Sequence, residues 1–205
     1  GVTLANGETI AAKRVIANVN PKMLYGQMFN EGDLDPEFAR RMDGYKNGSG
    51  TFRMNVALSE LPDFTALPGK DSAEHHRCGI VIAPTLDSMD RAYVDAKANG
   101  WSKQPIVEML IPSTLDDSLA PEGQHVASLF CQQFSPQLPD GQSWHDAREA
   151  AAETIIDTVT AHAPNFRDSI LGKMILSPLD LEEKLGLIGG DIMHGVMTLD
   201  QMWAA

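Results

Sequence analysis

The sequence is poor in basic residues relative to acidic ones. Its 205 residues contain 16 Lys and Arg against 28 Asp and Glu, which gives a formal net charge of −12. A chain of this charge has no basic surface with which to neutralise phosphates. We therefore expect no nucleic-acid partner and no charge-driven binding to an anionic membrane. The sequence also lacks a run of eighteen apolar residues, so we expect no transmembrane segment.

Cysteine is equally scarce. Cys78 and Cys131 stand far apart, with no C-x-x-C pair and no histidine at metal-ligand spacing, so we expect no metal site. Cys131 ends the apolar run 127–131, which is typical of a buried strand where a free thiol behaves as a small hydrophobe. These features favour a reducing compartment, either the cytoplasm or the mitochondrial matrix of a eukaryote, although two cysteines leave one disulfide open.

Several catalytic and nucleotide-binding motifs are missing. The chain has no G-x-G-x-x-G, no phosphate loop and no G-x-S-x-G turn, and no nucleophile with its base is recognisable. His75 and His76 follow Glu74, a combination that would allow a metal site. Because no further ligand stands at a structured spacing, a solvated loop is the favoured interpretation. His125 alternates within a strand, and we expect it to be satisfied in the core or at its rim.

Turn signals in the first forty residues predict short elements. Asn6-Gly7 lies between two β-type runs and predicts a hairpin, and the apolar segment 13–19 predicts a strand covered on both faces. Asn20-Pro21 and Asp35-Pro36 predict the starts of two short helices, since proline is favoured at the first helical position.

The remainder of the chain predicts a sheet with helices. Strict alternation over 51–58 predicts a half-buried strand with Phe52, Met54, Val56 and Leu58 on its buried side. Further strands are predicted at 78–82, 106–111, 124–134 and 170–176, and the longest helix at 143–162. Because strands follow one another in twos and threes, we predict an α+β fold. Its sheet is mixed or largely antiparallel with helices packed on one face, and the β-hairpin is separate.

Residues 186–195 contain four glycines and His194. Glycine permits a positive φ or the close approach of another group to the backbone. That group could be a flat ligand with His194 at its edge. Alternatively, the segment is a tight turn between helices with a solvated histidine. The local pattern alone favours the tight turn.

Four segments recur in the same order in a known family. They are VTLANGETIAAKRVIANVNP, SGTFRMNVALSELPDF, IPSTLDDSLAPEGQHVASLFCQQFSP and GGDIMHGVMTLDQMW. In this order the chain resembles, over essentially its whole length, the phytoene-dehydrogenase-related branch of the FAD-dependent amine-oxidase-like oxidoreductases. Within that branch it is most similar to the pyridine nucleotide-disulfide oxidoreductase domain-containing proteins. The resemblance implies FAD as the cofactor, although both main FAD motifs of the family are missing from these residues.

The resemblance also implies a division of the chain. Residues 1–20 would be the tail end of an FAD-binding domain, 21–190 a substrate-binding domain, and 191–205 the start of a truncated return to the FAD domain. The absence of an initiating methionine and of a polar tail agrees with this expectation of a portion of a longer polypeptide.

Site residues follow from the same resemblance. Ala17, Asn18, Gly189 and Gly190 would lie near the flavin, and His194 would be the catalytic candidate that polarises the substrate or handles a proton. Six residues of the sheet would form one wall of an apolar substrate cavity, with ordinary core packing as the competing interpretation: Phe52, Met54, Val107, Met109, Val126 and Phe130.

The function implied is that of an FAD-dependent oxidoreductase, which removes a hydride and a proton from an apolar or amine substrate. This chain would be its substrate-binding portion, inactive and unable to retain FAD by itself. Two alternatives stay open. One is a non-catalytic binding or self-association module, which would form homodimers, and the other is a flavin-dependent isomerase.

Overall fold

The computed structural model describes residues 1–30, 32–48 and 50–202, which form two compact units. Of these residues, 1–46 and 197–202 form the first unit, and those from Asn47 to Val196 form the second. Residues 21–46 therefore group with the amino-terminal hairpin, whereas the family resemblance implies that they belong to the substrate-binding domain.

The first unit opens with the predicted hairpin. Strand β1 (Val2–Thr3) pairs antiparallel with β2 (Thr9–Ile10). Gly7 in the turn has a φ of 85°, and the Asn6 side chain accepts a hydrogen bond from the Glu8 amide at 3.0 Å. Asn-Gly therefore forms the tight reversal that the sequence predicts.

The strand predicted at 13–19 is wrong, because residues 11–19 have no regular secondary structure. Ile16 is 97% exposed and Val15 is 53% exposed. A strand requires a neighbour that pairs its backbone groups, and no strand pairs with this segment within the described residues. An apolar run is therefore not sufficient to form a strand here.

Both helices predicted after this segment are confirmed. Helix α1 (Pro21–Gln27) follows Asn20, and α2 (Pro36–Asp43) follows Asp35. In each case the residue before the helix accepts backbone hydrogen bonds from the first turn, and proline occupies the first helical position.

The second unit is built on one five-stranded sheet. Its strands are β3 (Phe52–Leu58), β4 (Ile80–Ile82), β5 (Trp101–Leu110), β6 (His125–Phe134) and β7 (Ile170–Leu176). They lie in the order β4-β5-β6-β3-β7, and every neighbouring pair is antiparallel. This topology confirms the predicted α+β class with a largely antiparallel sheet and a separate hairpin.

The remaining helices are α3 (Leu86–Asn99), α4 (Trp144–Thr160), α5 (Phe166–Ser169), α6 (Pro178–Leu185) and, in the first unit, α7 (Leu199–Met202). Ser143 caps α4, which confirms the long helix predicted there. Within the described residues, no helix combines the length and the apolar character needed to cross a bilayer.

The core lies between α4 and one face of the sheet. Phe52, Met54, Val56 and Leu58 are all buried, which confirms the predicted alternation of β3. The helix contributes its apolar stripe to the same cluster: Trp144, Ala151, Ile155 and Val159. Cys131 also lies here as a free thiol, which confirms the predicted buried strand position, and burial raises its pKa.

Candidate functional site

The opposite face of the sheet is only partly covered, and we call it the open face. Its residues are half-buried or exposed, and they alternate along each strand with those of the core. The open face consists of Arg53, Asn55, Glu108, Leu110, Val126, Ser128, Phe130, Met174 and Leu176.

The strand register arranges the open face in rows. In one row, Phe130 on β6 pairs with Arg53 on β3 and with Glu108 on β5. In the next row, Ser128 pairs with Asn55 and Leu110. Directly paired residues on one face have side chains close enough to interact. A cation and an anion therefore flank the Phe130 ring on opposite sides.

Arg53 is held in place by the neighbouring strand. Its guanidinium donates a hydrogen bond to Ser128 Oγ at 2.9 Å, and its Cζ lies 5.6 Å from the centre of the Phe130 ring. Both contacts favour a planar cation lying against an aromatic ring. Glu108 is engaged separately, because its Oε1 accepts a hydrogen bond from Gln132 at 3.2 Å.

The six residues expected to line a substrate cavity are divided between the two faces of the sheet. Val126 and Phe130 lie on the open face and are half-buried. The other four are fully buried in the core against α4: Phe52, Met54, Val107 and Met109. A single surface of the sheet therefore presents only two of the six residues to a ligand.

The glycine-rich segment is a compact loop after α6. Gly186 ends the helix in the left-handed conformation, and Gly189 and Gly190 have φ values of 65° and 62°. A Cβ on Gly190 would lie 2.4 Å from the carbonyl oxygen of Pro178. The close approach that requires glycine at this position is therefore made by the protein's own backbone.

Asp191 fixes this loop to the segment before β3. Its carboxylate is completely buried and accepts hydrogen bonds from the backbone amides of Gly48, at 2.9 Å, and Met193, at 2.8 Å. Asp191 was not among the site residues predicted from the sequence. A buried acid among glycines is nevertheless a usable signal, because a buried carboxylate needs donors such as free backbone amides.

The other predicted site residues lie in different surroundings. His194 follows in the same loop, is half-buried and adopts a φ of 60°, which is unusual for a residue other than glycine. Ala17 and Asn18 are exposed in the irregular segment of the first unit. The residues present do not by themselves form a flavin site, because the Gly190 backbone is covered by Pro178 and no phosphate-binding loop occurs within the described residues.

A pocket of about 290 Å³ lies beside β4 in the second unit, and sequence reasoning did not identify it. It is lined mainly by apolar groups together with two histidines, namely Phe64, Leu67, His75, Ile82, Pro84 and His162. His75 is half-buried, and loss of solvent together with the neighbouring His76 lowers its pKa.

The solvated loop predicted for the histidine pair is wrong, because His76 is completely buried in a short 3-10 turn. Its Nδ1 accepts a hydrogen bond from the Ala73 amide at 3.2 Å, and its Nε2 donates to the Pro62 carbonyl at 3.0 Å. Both ring nitrogens are thereby satisfied by backbone groups, which permits burial. In the part of the chain that the structure describes, no three His, Cys, Asp or Glu side chains are grouped so as to hold a metal ion.

Comparisons with known proteins identify relatives of the whole chain. No protein-family model matches. The chain is 37% identical over 211 aligned positions to pyridine nucleotide-disulfide oxidoreductase domain-containing protein 2 of Rattus norvegicus, and 36% identical to the protein of that name from Mus musculus. All of this chain is matched, and it spans 36% of the length of either relative.

Chloroplastic prolycopene isomerases are more distant relatives. The protein of Daucus carota is 26% identical over 184 positions, which cover 87% of this chain and 26% of that protein. These matches confirm the resemblance that the order of sequence segments indicates. The chain is a homologue of the pyridine nucleotide-disulfide oxidoreductase domain-containing protein 2 group and, more distantly, of the prolycopene isomerases.

Proposed function

We propose that this chain is the substrate-binding portion of an FAD-dependent oxidoreductase, and that the open face of its sheet forms the wall against which the substrate lies. The observation that carries the proposal is the open face itself. Half-buried and exposed apolar side chains surround a few polar ones there, which is the usual composition of a small-molecule site. The homology to proteins named as oxidoreductases supports the redox class.

The two structural units refine the proposed domain division. We assign the substrate-binding role to residues 47–196, which contain the sheet, and the role of joining an FAD-binding domain to the first unit. When bound, the flavin would accept a hydride from an apolar or amine substrate. The sheet would orient that substrate and exclude water from it.

The predicted cofactor contacts form part of this proposal. Ala17 and Asn18 would lie near the flavin in the intact protein, as would the loop that carries Gly189 and Gly190. His194 would handle a proton or polarise the substrate from the same loop. We place the protein in a reducing compartment, either the cytoplasm or the mitochondrial matrix, since both of its cysteines are free.

The test uses the full-length polypeptide that contains this chain. After purification, its visible absorption spectrum should show bound flavin, and residues 1–205 alone should be colourless. Apolar polyenes and amines are then added under anaerobic conditions, and bleaching of the flavin identifies the substrate class. A full-length protein without flavin, or a yellow fragment of residues 1–205, would overturn the proposal.

The homology to prolycopene isomerases favours a second candidate, a flavin-dependent isomerase. In that case the polyene would change its double-bond geometry only with pre-reduced flavin, and the flavin would stay reduced throughout. The third reading, a non-catalytic self-association module, predicts a flavin-free homodimer. Chromatography of the product distinguishes an oxidised product from an isomer of the substrate. Sedimentation of the protein detects the homodimer that the third candidate predicts.

A further inference from the structure

The open face has a polar centre within an apolar border. Arg53, Ser128 and Asn55 are neighbours across β3 and β6. The apolar border is formed by side chains from β5, β6 and β7: Leu110, Val126, Phe130, Met174 and Leu176. Leu110 and Met174 are more than half exposed. A ligand that covers this face would therefore meet apolar groups around one cationic centre, with the Glu108 carboxylate beyond Phe130 on the β5 side.

Arg53 retains donors for such a ligand. Arginine carries five N–H donors, and the guanidinium uses one of them for Ser128. Among the described residues, no carboxylate forms an ion pair with Arg53, and Glu108 on the same row is bonded to Gln132 instead. The Phe130 ring already orients the Arg53 side chain, so binding of a ligand costs less side-chain conformational entropy.

The cations on the α4 side of the same unit provide a contrast. Arg148 is paired with Asp180, Arg167 with Glu153 and Asp157, and Lys173 with Glu149 and Glu153. In a chain with a net charge of −12, a half-buried arginine without an acid partner is notable. Its uncompensated charge is complementary to an anionic group brought by a ligand.

We propose that the open face binds a small amphipathic acid, whose carboxylate pairs with Arg53 and whose apolar body lies against Phe130, Met174 and Leu110. A planar guanidinium matches a carboxylate with two parallel hydrogen bonds. This inference rests on the proposed function and names its substrate class, an apolar acid rather than a neutral hydrocarbon or an amine.

The test measures binding to the full-length protein by isothermal titration calorimetry, with flavin content determined separately. The probes are dodecanoate, dodecanol and dodecylamine, which share an apolar chain and differ in their head group. Arg53→Met removes the charge at similar volume, Arg53→Lys keeps the charge without the planar fork, and Glu108→Gln is the matched control on the same row. Circular dichroism and the urea midpoint establish that each variant is folded.

We expect dodecanoate to bind at least tenfold more tightly than dodecanol. Arg53→Met should weaken dodecanoate binding by roughly 10- to 100-fold and leave dodecanol unchanged, because a hydrogen bond to a charged group is lost. Arg53→Lys should retain part of the affinity, so it also tests the proposal if the methionine variant does not fold. Glu108→Gln should tighten dodecanoate binding slightly, because it removes a like charge from the same row.

Two results would overturn the inference. One is equal binding of the acid and the alcohol, and the other is preferential binding of dodecylamine that Glu108→Gln abolishes. The flavin content keeps the two proposals distinct. A flavin-free protein that still binds dodecanoate through Arg53 would refute the redox function alone, and a flavoprotein with no preference for the acid would refute the inference alone.

Discussion

Replacement of Asp180 by asparagine should destabilise the second unit because this carboxylate is almost completely buried, with 3% of its side chain exposed. Its Oδ1 accepts hydrogen bonds from Arg148, at 2.9 Å, and Lys184, at 2.8 Å. Its Oδ2 accepts bonds from the amide and the hydroxyl of Ser177, which form the cap of α6. The variant keeps the shape of the side chain and removes its charge.

The size of the effect follows from the pKa of Asp180. Burial raises this pKa, but the hydrogen bonds from Lys184 and Ser177 outweigh burial and lower it from 3.8 to about 2. Since each pKa unit corresponds to about 1.4 kcal/mol, the charge contributes about 2 kcal/mol to the free energy of unfolding. The folded-state pKa is lowered, so this contribution is complete above pH 4 and is lost as the pH falls through about 2.

Urea unfolding followed by tryptophan fluorescence measures the prediction. Asp180→Asn should lose about 2 kcal/mol at pH 7, and the difference from the unmodified protein should shrink towards pH 2. Asp157→Asn is the control, because Asp157 is 73% exposed in its pair with Arg167 and such pairs contribute less than about 1 kcal/mol. Equal losses in the two variants, or a difference that does not depend on pH, would refute the reasoning.

Three further predictions concern the loop and the pocket. Gly190→Ala should lower the free energy of unfolding by more than about 2 kcal/mol, because φ is 62° and the new Cβ meets a backbone oxygen. Gly123 has a φ of 77° but lies in open space, so Gly123→Ala should lower it by only about 1 kcal/mol. The two urea midpoints compare them, and equal midpoints would contradict the contact. Asp191→Ala should leave the Gly48 amide without its acceptor and speed the hydrogen exchange of that amide at least tenfold. An unchanged exchange rate would show that the hydrogen bond between Gly48 and Asp191 does not protect the amide. NMR titration of His75 should give a midpoint below pH 6.5, because desolvation lowers its pKa. The folded protein should therefore lose stability as the pH drops below 6.5, where the unfolded chain binds the proton more readily. A titration midpoint above 6.5 would exclude desolvation as the dominant effect on this pKa.

The features that sequence predicted correctly are set by local interactions. Asn6-Gly7 forms its turn, and Asn20-Pro21 starts α1, because each depends on hydrogen bonds within a few residues. The long helix and the alternation of β3 are also local periodicities. Fold class followed from the order of such elements, since antiparallel strands can be joined by short connections.

The features that sequence missed depend on distant partners. Segment 13–19 has strand-like composition but no strand beside it among the described residues, and composition cannot supply one. His76 can be buried because the carbonyl of Pro62, fourteen positions earlier, accepts a hydrogen bond from its ring. The side of the sheet on which a residue lies depends on register. Val126 and Phe130 consequently fall opposite to Phe52, although all three are apolar strand residues.

The loop and the open face are connected through the start of β3. Asp191 binds the amide of Gly48, and the chain then runs through Gly50, whose carbonyl accepts a hydrogen bond from Phe134 at the end of β6. Arg53 follows three residues later on the open face. A displacement of the glycine-rich loop would therefore act first on the end of the sheet that presents Arg53.

Because of this connection, Asp191→Ala should weaken binding of an acid at the open face, although Asp191 itself is buried away from solvent. Titration of the variant with dodecanoate tests this coupling, and unchanged affinity would show that the loop and the open face are independent.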